Sequence, residues 1–107
     1  MKKKTIATPG ISFYVAECFE FHSLGEFHDK LTLERAVAIY KAIPSSRMNG
    51  IKAIGFTLDD DSLIVNEYDL VIGNRLNIED MEEFVPNLAA HPLVKQAVKD
   101  IRRMMNL

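Results

Sequence analysis

The chain has 107 residues, a hydrophobic fraction of 48% and a formal net charge of −2. This length suits one domain that buries its own core, and the acidic balance disfavours nucleic-acid binding, which usually needs a basic surface. No apolar run reaches the roughly eighteen residues of a membrane span, and the basic start, Met1–Lys4, leads into no apolar signal-peptide segment. Cys18, the single cysteine, excludes an intrachain disulfide. We therefore expect a cytoplasmic protein with a flexible terminus over 1–10 and one domain over 11–107.

The first part of the chain predicts a strand, a loop and a helix. Apolar residues alternate over 11–21, with the period of a strand, and the polar segment 22–30 contains a glycine typical of a loop. Thr32 is a favoured N-cap residue, and apolar residues then recur at helical spacing until Pro44 ends the pattern.

Two further strands are predicted next. Asn49-Gly50 is a turn signal, and 51–58 reads as a strand with one face of small residues that would let a helix approach closely. Those small residues are Ala53, Gly55 and Thr57. The segment 63–72 predicts the third strand, which ends at Gly73. Its apolar face is predicted to hold Ile64, Tyr68, Leu70 and Ile72.

The last part predicts two helices. Asn77 is placed to cap a short helix that runs to about Val85, and His91-Pro92 opens the final helix with proline at its favoured first position. The final helix has a continuous apolar stripe and a basic outer face.

Together these elements predict an α+β fold. The expected order is β-α-β-β-α-α, with a three-stranded mixed or antiparallel sheet and helices packed on one face. The shared periodic faces predict that eight residues are buried: Phe13, Val37, Tyr40, Ile54, Phe56, Leu70, Val98 and Ile101.

One long segment carries a family resemblance. The run FHSLGEFHDKLTLERAVAIYKAIPSSRMNGIKAIGF resembles the YodL-like domain family of Firmicutes, and the similarity extends over about residues 13–103, including the C-terminal HPLVKQAVKDI. That family occurs as small free-standing proteins and as modules of very large proteins encoded by phages and conjugative elements. The resemblance implies a mobile-element or host-interaction role exercised through binding, and it implies no catalytic activity.

Cys18, His22 and His28 are the residues whose types come closest to a metal or catalytic site. Zinc would need Glu26 or Asp29 as a fourth ligand, and structural zinc sites usually have paired ligands. A Cys–His nucleophile would need an exposed, ionised thiol, whereas a cysteine within an apolar strand is usually inert. We therefore expect neither a metal, nor a cofactor, nor an enzyme.

Two other polar segments have residue types that occur in binding sites. The acidic cluster Asp59–Asp61 with Glu67 does not have the spacing of a calcium-binding loop, so a solvated turn is the better interpretation. Arg47-Met48-Asn49 is a better recognition candidate, because arginine offers a planar fork of donors and methionine adapts to apolar partners. The competing interpretation is structural, with Met48 packed at the edge of the core and Asn49-Gly50 supplying the turn, and it is slightly favoured.

The sequence thus favours a non-enzymatic protein-interaction domain of a mobile element, present as a monomer or a weak homodimer, that binds neither nucleic acid nor membrane. A small-molecule or nucleotide-binding module is the alternative. If the first two strands are neighbours, the two loops should form one binding surface, made of His22, Glu26, His28, Arg47, Met48 and Asn49.

Overall fold

The structure is a computed structural model that describes residues 10–19, 22–44, 51–59 and 67–106. For residues 18, 19, 22–29 and 67 it describes the backbone alone. The predicted flexible terminus, the loop 45–50 and most of the acidic turn lie outside the described residues.

The strands form one antiparallel sheet in the order β2-β1-β3-β4-β5. Their bounds are β1 Ile11–Phe19, β2 His22–Leu31, β3 Ile51–Leu58, β4 Glu67–Ile72 and β5 Arg75–Leu76. The α+β class with an antiparallel sheet is confirmed. The prediction of three strands and of the order β-α-β-β-α-α is wrong, because the described residues contain five strands.

The first missed strand, β2, lies where a loop was predicted. Residues 22–31 pair with 13–19 of β1, so ten residues of β2 lie opposite seven of β1. Three register shifts absorb the three extra residues. Each bulge interrupts the alternation of side chains, so the period-2 pattern that would have revealed this strand is lost.

The second missed strand, β5, follows a tight turn. Gly73 and Asn74 have φ values of 58° and 68°, as the two central residues of a type I′ hairpin turn require. The turn brings Arg75 opposite Ile72. Gly73 was correctly predicted to end β4, but a strand of two residues leaves no periodic signal in the sequence.

A bulge in β4 also changes which of its side chains face the core. Val71 pairs with Ile54 whereas Asp69 pairs with Gly55, so Leu70 is the extra residue. Tyr68 and Leu70 are buried in the main core as predicted, but Ile72 packs on the other face of the sheet. The prediction for Ile72 is wrong because the bulge reverses the alternation at that point.

The helices are α1 Leu33–Ala42, α2 Ile78–Met81 and α3 Pro92–Met105, with a 3-10 helix at Leu88–Ala90. Thr32 caps α1 as predicted, and its hydroxyl accepts a hydrogen bond from the Arg35 amide at 3.3 Å. α2 stops at Met81 rather than near Val85, and its N-cap, Asn77, makes no capping hydrogen bond with its side chain.

All three α-helices contribute to one core on one face of the sheet, as predicted. Of the eight predicted core residues, seven are buried and Val98 is half-buried at the margin of that core. On the opposite face, the space beside Gly55 is filled by the ring of Tyr14. The expectation that small residues there receive a helix is therefore wrong at Gly55.

Candidate functional site

The predicted site residues divide into two groups. Arg47, Met48 and Asn49 lie outside the described residues. The backbones of His22, Glu26 and His28 lie on β2, at an edge of the sheet.

Only one of these three lies close to the ends of the 45–50 loop. His22 is paired with Phe19, next to the position where Cys18 pairs with Ile51, the residue that follows that loop. His28 is paired with Val15, in the middle of β1. Phe19 lies four positions beyond Val15 in the strand, about 13 Å along the sheet. The backbone therefore places His22 near Ile51 and His28 well away from it.

Lys52 holds both flanks of the 45–50 loop. It lies one residue beyond the first residue after the loop, and its ammonium donates hydrogen bonds to the carbonyl oxygens of Tyr40 at 2.6 Å and of Ile43 at 2.7 Å. Both carbonyls belong to the C-terminal end of α1, where the helix dipole favours a cation. One side chain thus connects the chain before the loop to the chain after it.

The ring of Tyr40 also contacts the Lys52 ammonium. The Lys52 ammonium lies 4.5 Å from the ring centroid, within the range of a cation–π interaction. Burial lowers the pKa of Lys52 and raises the pKa of the Tyr40 phenol, which accepts a hydrogen bond from the Asn74 amide at 2.9 Å. The Gly73 amide also donates to the Lys52 carbonyl at 3.2 Å. Helix α1, strand β3 and the β4–β5 turn are therefore tied together at one point.

An apolar side chain is exposed at the same end of β3. Ile51 is 50% exposed, and its Cγ2 lies close to the backbone of Gly73. Pro44 and Asn74 are also exposed, in the chain segments that Lys52 and Tyr40 hold in place. We call Pro44, Ile51, Gly73 and Asn74 the sheet-end surface. Its chemistry suits contact with a protein, because covering an exposed aliphatic side chain removes apolar surface from water and a backbone that is already held loses little entropy on binding.

A small cavity lies at the other end of the sheet. Its volume is about 200 Å³, and its walls include Ile11, Phe13, Lys30, Glu34 and Arg103. Lys30 has a φ of 55°, which is uncommon for a residue other than glycine. Most small-molecule sites have roughly 300–1,000 Å³. This cavity therefore suits only a small ligand.

Few of the residues considered as metal ligands have side chains that the structure describes. No group of three or more His, Cys, Asp or Glu side chains that could hold a metal occurs in the described part of the chain. The side chains of Cys18, His22 and His28 are outside that description. In the acidic turn, only Asp59 is described with its side chain, and its amide donates to the Gly10 carbonyl at 2.9 Å.

Sequence reasoning missed Ile51 and Lys52. A signal was present in both cases: Lys52 interrupts an otherwise apolar strand directly after the recognition-like loop, and a lysine in such a place needs acceptors. Which carbonyls it would reach depended on the end of α1 lying beside β3, which the sequence does not specify.

No protein-family model, no curated protein and no solved structure matches this chain. The resemblance to the YodL-like family therefore stays a prediction. Within the described residues, no helix combines the length and the apolar character needed to cross a membrane.

Proposed function

We propose that the chain is a non-enzymatic protein-interaction domain that binds its partner through the sheet-end surface and the adjoining loop with Arg47, Met48 and Asn49. The observation that carries the proposal is the pair of hydrogen bonds from Lys52 to the end of α1, which connects the two flanks of this loop next to the exposed Ile51. Binding loops are effective when a rigid scaffold limits the entropy lost on binding.

The residue types fit such a role. Arginine and methionine are enriched at protein interfaces, and both precede the exposed Ile51 by a few residues. His22 adjoins this surface through the pairing of β1 with β2 and β3. We place Glu26 and His28 in the same proposal only as residues of the neighbouring edge strand. The proposed setting is the one that the family resemblance implies, a mobile element acting on a host or element protein in the cytoplasm.

The cavity beside Lys30 favours a second candidate, a module that binds a small molecule. Its rim carries both signs of charge, from Lys30, Glu34, Asp100 and Arg103, over an apolar floor. A small zwitterion would match this lining better than a nucleotide, which is too large for about 200 Å³.

A double variant, Arg47→Ala with Met48→Ala, tests the leading proposal. Tagged wild-type protein would be used to capture partners from a lysate of the source organism, and each captured protein would then be purified and titrated against wild type and variant. We expect the double variant to lose at least tenfold in affinity and to keep its melting temperature. Arg35→Ala is the matched control, because Arg35 is an exposed arginine on α1, outside this surface.

Two outcomes would contradict the proposal. Equal affinity of the double variant and the wild type would remove the loop from the interface. A double variant with a much lower melting temperature would show that Met48 is part of the core, and Ile51→Ser would then test the surface alone.

A further inference from the structure

Phe84 is the most exposed of the large hydrophobic side chains in the described residues. It is 77% exposed, compared with 50% for Ile51, and it lies between α2 and the 3-10 helix. A phenylalanine left in water forgoes the free energy that its burial would release, so a partner that covers this ring would gain that free energy.

The backbone around Phe84 is held by its own hydrogen bonds. The amides of Phe84 and Val85 both donate to the Met81 carbonyl at 3.0 Å. The Glu82 carboxylate accepts from the Ala89 amide at 3.1 Å and so closes the turn from the other side. Met81 and Leu88 anchor the turn in the core. The fold therefore holds the backbone of Phe84 at a position where its side chain is exposed.

The charged residues of the chain segment that contains Phe84 are all acidic. Glu79, Asp80 and Glu83 are exposed on the same short segment, and no lysine, arginine or histidine occurs between Asn77 and Ala90. A surface that covers Phe84 should therefore be apolar with a basic rim, because like charges at the rim would oppose docking.

Helix α3 of the same chain has such a surface. Lys95, Lys99 and Arg102 are exposed, and Val98 and Met105 are half-buried on the same side of the helix, at spacings of three, four and seven residues. The carboxylate of this helix, Asp100, is already engaged: it accepts hydrogen bonds from Gln96 at 3.0 Å and from Arg103 at 3.3 Å. We call Lys95, Val98, Lys99, Arg102 and Met105 the basic face of α3.

We propose that two copies of the chain form a two-fold dimer in which Phe84 of each copy packs on the basic face of α3 of the other. The acidic residues beside Phe84 would then lie opposite Lys95, Lys99 and Arg102. A second copy is the favoured occupant because both complementary surfaces occur on one chain, and the 3-10 helix that packs against both α2 and α3 keeps them adjacent. One two-fold axis can satisfy two adjacent complementary surfaces at once. This interface is independent of the sheet-end surface.

Sedimentation velocity of the full chain over a range of concentrations tests the dimer. We expect concentration-dependent dimers in low salt that weaken at least tenfold in about 0.5 M salt, where exposed charges are screened within a few ångströms. Phe84→Ser should weaken the dimer at least tenfold. Ile51→Ser is the matched control: it removes the other large hydrophobic side chain that is exposed among the described residues, and it should leave the dimer unchanged.

Charge reversal gives a sharper test. Glu79→Lys with Glu83→Lys should yield a monomer, and so should Lys95→Glu with Lys99→Glu, because each double variant opposes like charges in both halves of its own dimer. Mixing the two double variants should restore a dimer, because one contact is then of the wild-type kind and the other has its charges exchanged. Circular dichroism melts would establish that each variant is folded.

Several results would overturn the proposal. These are a wild-type chain that is monomeric at every concentration, a dimer that Phe84→Ser leaves unchanged, or folded charge-reversed variants that do not pair when mixed. A monomeric wild type that captures a different protein in a Phe84-dependent manner would assign this surface to another partner and would also refute self-association.

Discussion

The ring of Tyr14 occupies the space in which a side chain at Gly55 would lie. The two residues are paired across β1 and β3, and a Cβ atom at position 55 would overlap the ring. The Tyr14 hydroxyl continues across the sheet and donates to Asp69 Oδ1 on β4 at 3.0 Å. One tyrosine therefore spans three strands, and Gly55 is the position that makes this possible.

Gly55→Ala should destabilise the fold by about 1–3 kcal/mol, because the new methyl group would have to displace the buried ring. In a Tyr14→Ala background the ring is absent, so Gly55→Ala should no longer lower the free energy of unfolding. It should raise it slightly, because alanine is less flexible than glycine in the unfolded chain. Urea denaturation of the two single variants and the double variant measures this coupling. Additive effects would show that the ring and the glycine are not coupled.

Phe56 and Ile51 both lie on β3, but replacing them by alanine should have very different effects on stability. Phe56 is fully buried, with its ring centroid 5.4 Å from that of Tyr68, so Phe56→Ala should cost about 3–5 kcal/mol. Ile51→Ala, at a half-exposed position, should cost much less. Denaturant melts that show a loss below about 1 kcal/mol for Phe56→Ala would contradict its place in the core.

Tyr68 and Tyr40 differ in what their hydroxyls contact. The buried Tyr68 hydroxyl has no hydrogen-bond partner among the described residues, whereas the Tyr40 hydroxyl accepts from the Asn74 amide. Tyr68→Phe removes an unsatisfied buried group and should leave the free energy of unfolding unchanged or raise it by up to about 1 kcal/mol. Tyr40→Phe should lower it by about 1 kcal/mol, because the Asn74 amide loses its acceptor. The reverse order in chemical denaturation would refute this assignment.

The same two tyrosines should govern stability in alkali. Burial raises the pKa of both phenols above the value of 10.0 that a tyrosine has in an unfolded chain. Above pH 10 the unfolded chain therefore releases protons that the folded chain still holds, so the free energy of unfolding falls as pH rises. In the double variant Tyr40→Phe with Tyr68→Phe, the free energy of unfolding from urea melts should fall less steeply between about pH 10 and about pH 12. An unchanged slope would place the titrating groups elsewhere.

Lys52→Met should destabilise the protein by about 1 kcal/mol or more, because the variant loses two charge-assisted hydrogen bonds to the end of α1. Lys41→Met is the matched control. Lys41 is exposed and donates to one carbonyl, that of Met104 at 2.9 Å, so its loss should matter less. Hydrogen exchange should also show faster exchange at Gly73, whose amide donates to the Lys52 backbone, in the Lys52 variant alone. Equal effects of the two changes would argue against a special role for Lys52.

Local signals predicted well those elements whose cause is local. The Thr32 cap, the start of α3 at Pro92 and the bounds of β3 all follow from side chains that act within a few residues of themselves. The face of Ile72 and the strand β2 could not be predicted in this way, because bulges remove the period that identifies a face or a strand. A bulge is defined by the partner strand, so its position is a tertiary property.

The candidate site shows the same division. The condition for one joint surface, that the first two predicted strands are neighbours, holds, and the backbone of His22 lies near Ile51, whereas that of His28 lies farther along the edge strand. Whether these residues share a surface with Arg47, Met48 and Asn49 stays a prediction. The framework of Lys52 and Tyr40 depends on contacts between α1, β3 and the β4–β5 turn, and the sequence pattern did not specify those contacts.

The three bulges of β2 bear on how this chain avoids aggregation. β2 lies at the edge of the sheet, and a long regular edge strand is a template on which further chains can add and grow into fibrils. Ten residues that occupy the length of seven cannot offer an evenly spaced ladder of amides and carbonyls to an incoming strand. The extra residues that hid β2 from sequence analysis thus also give the folded protein an edge that discourages polymerisation.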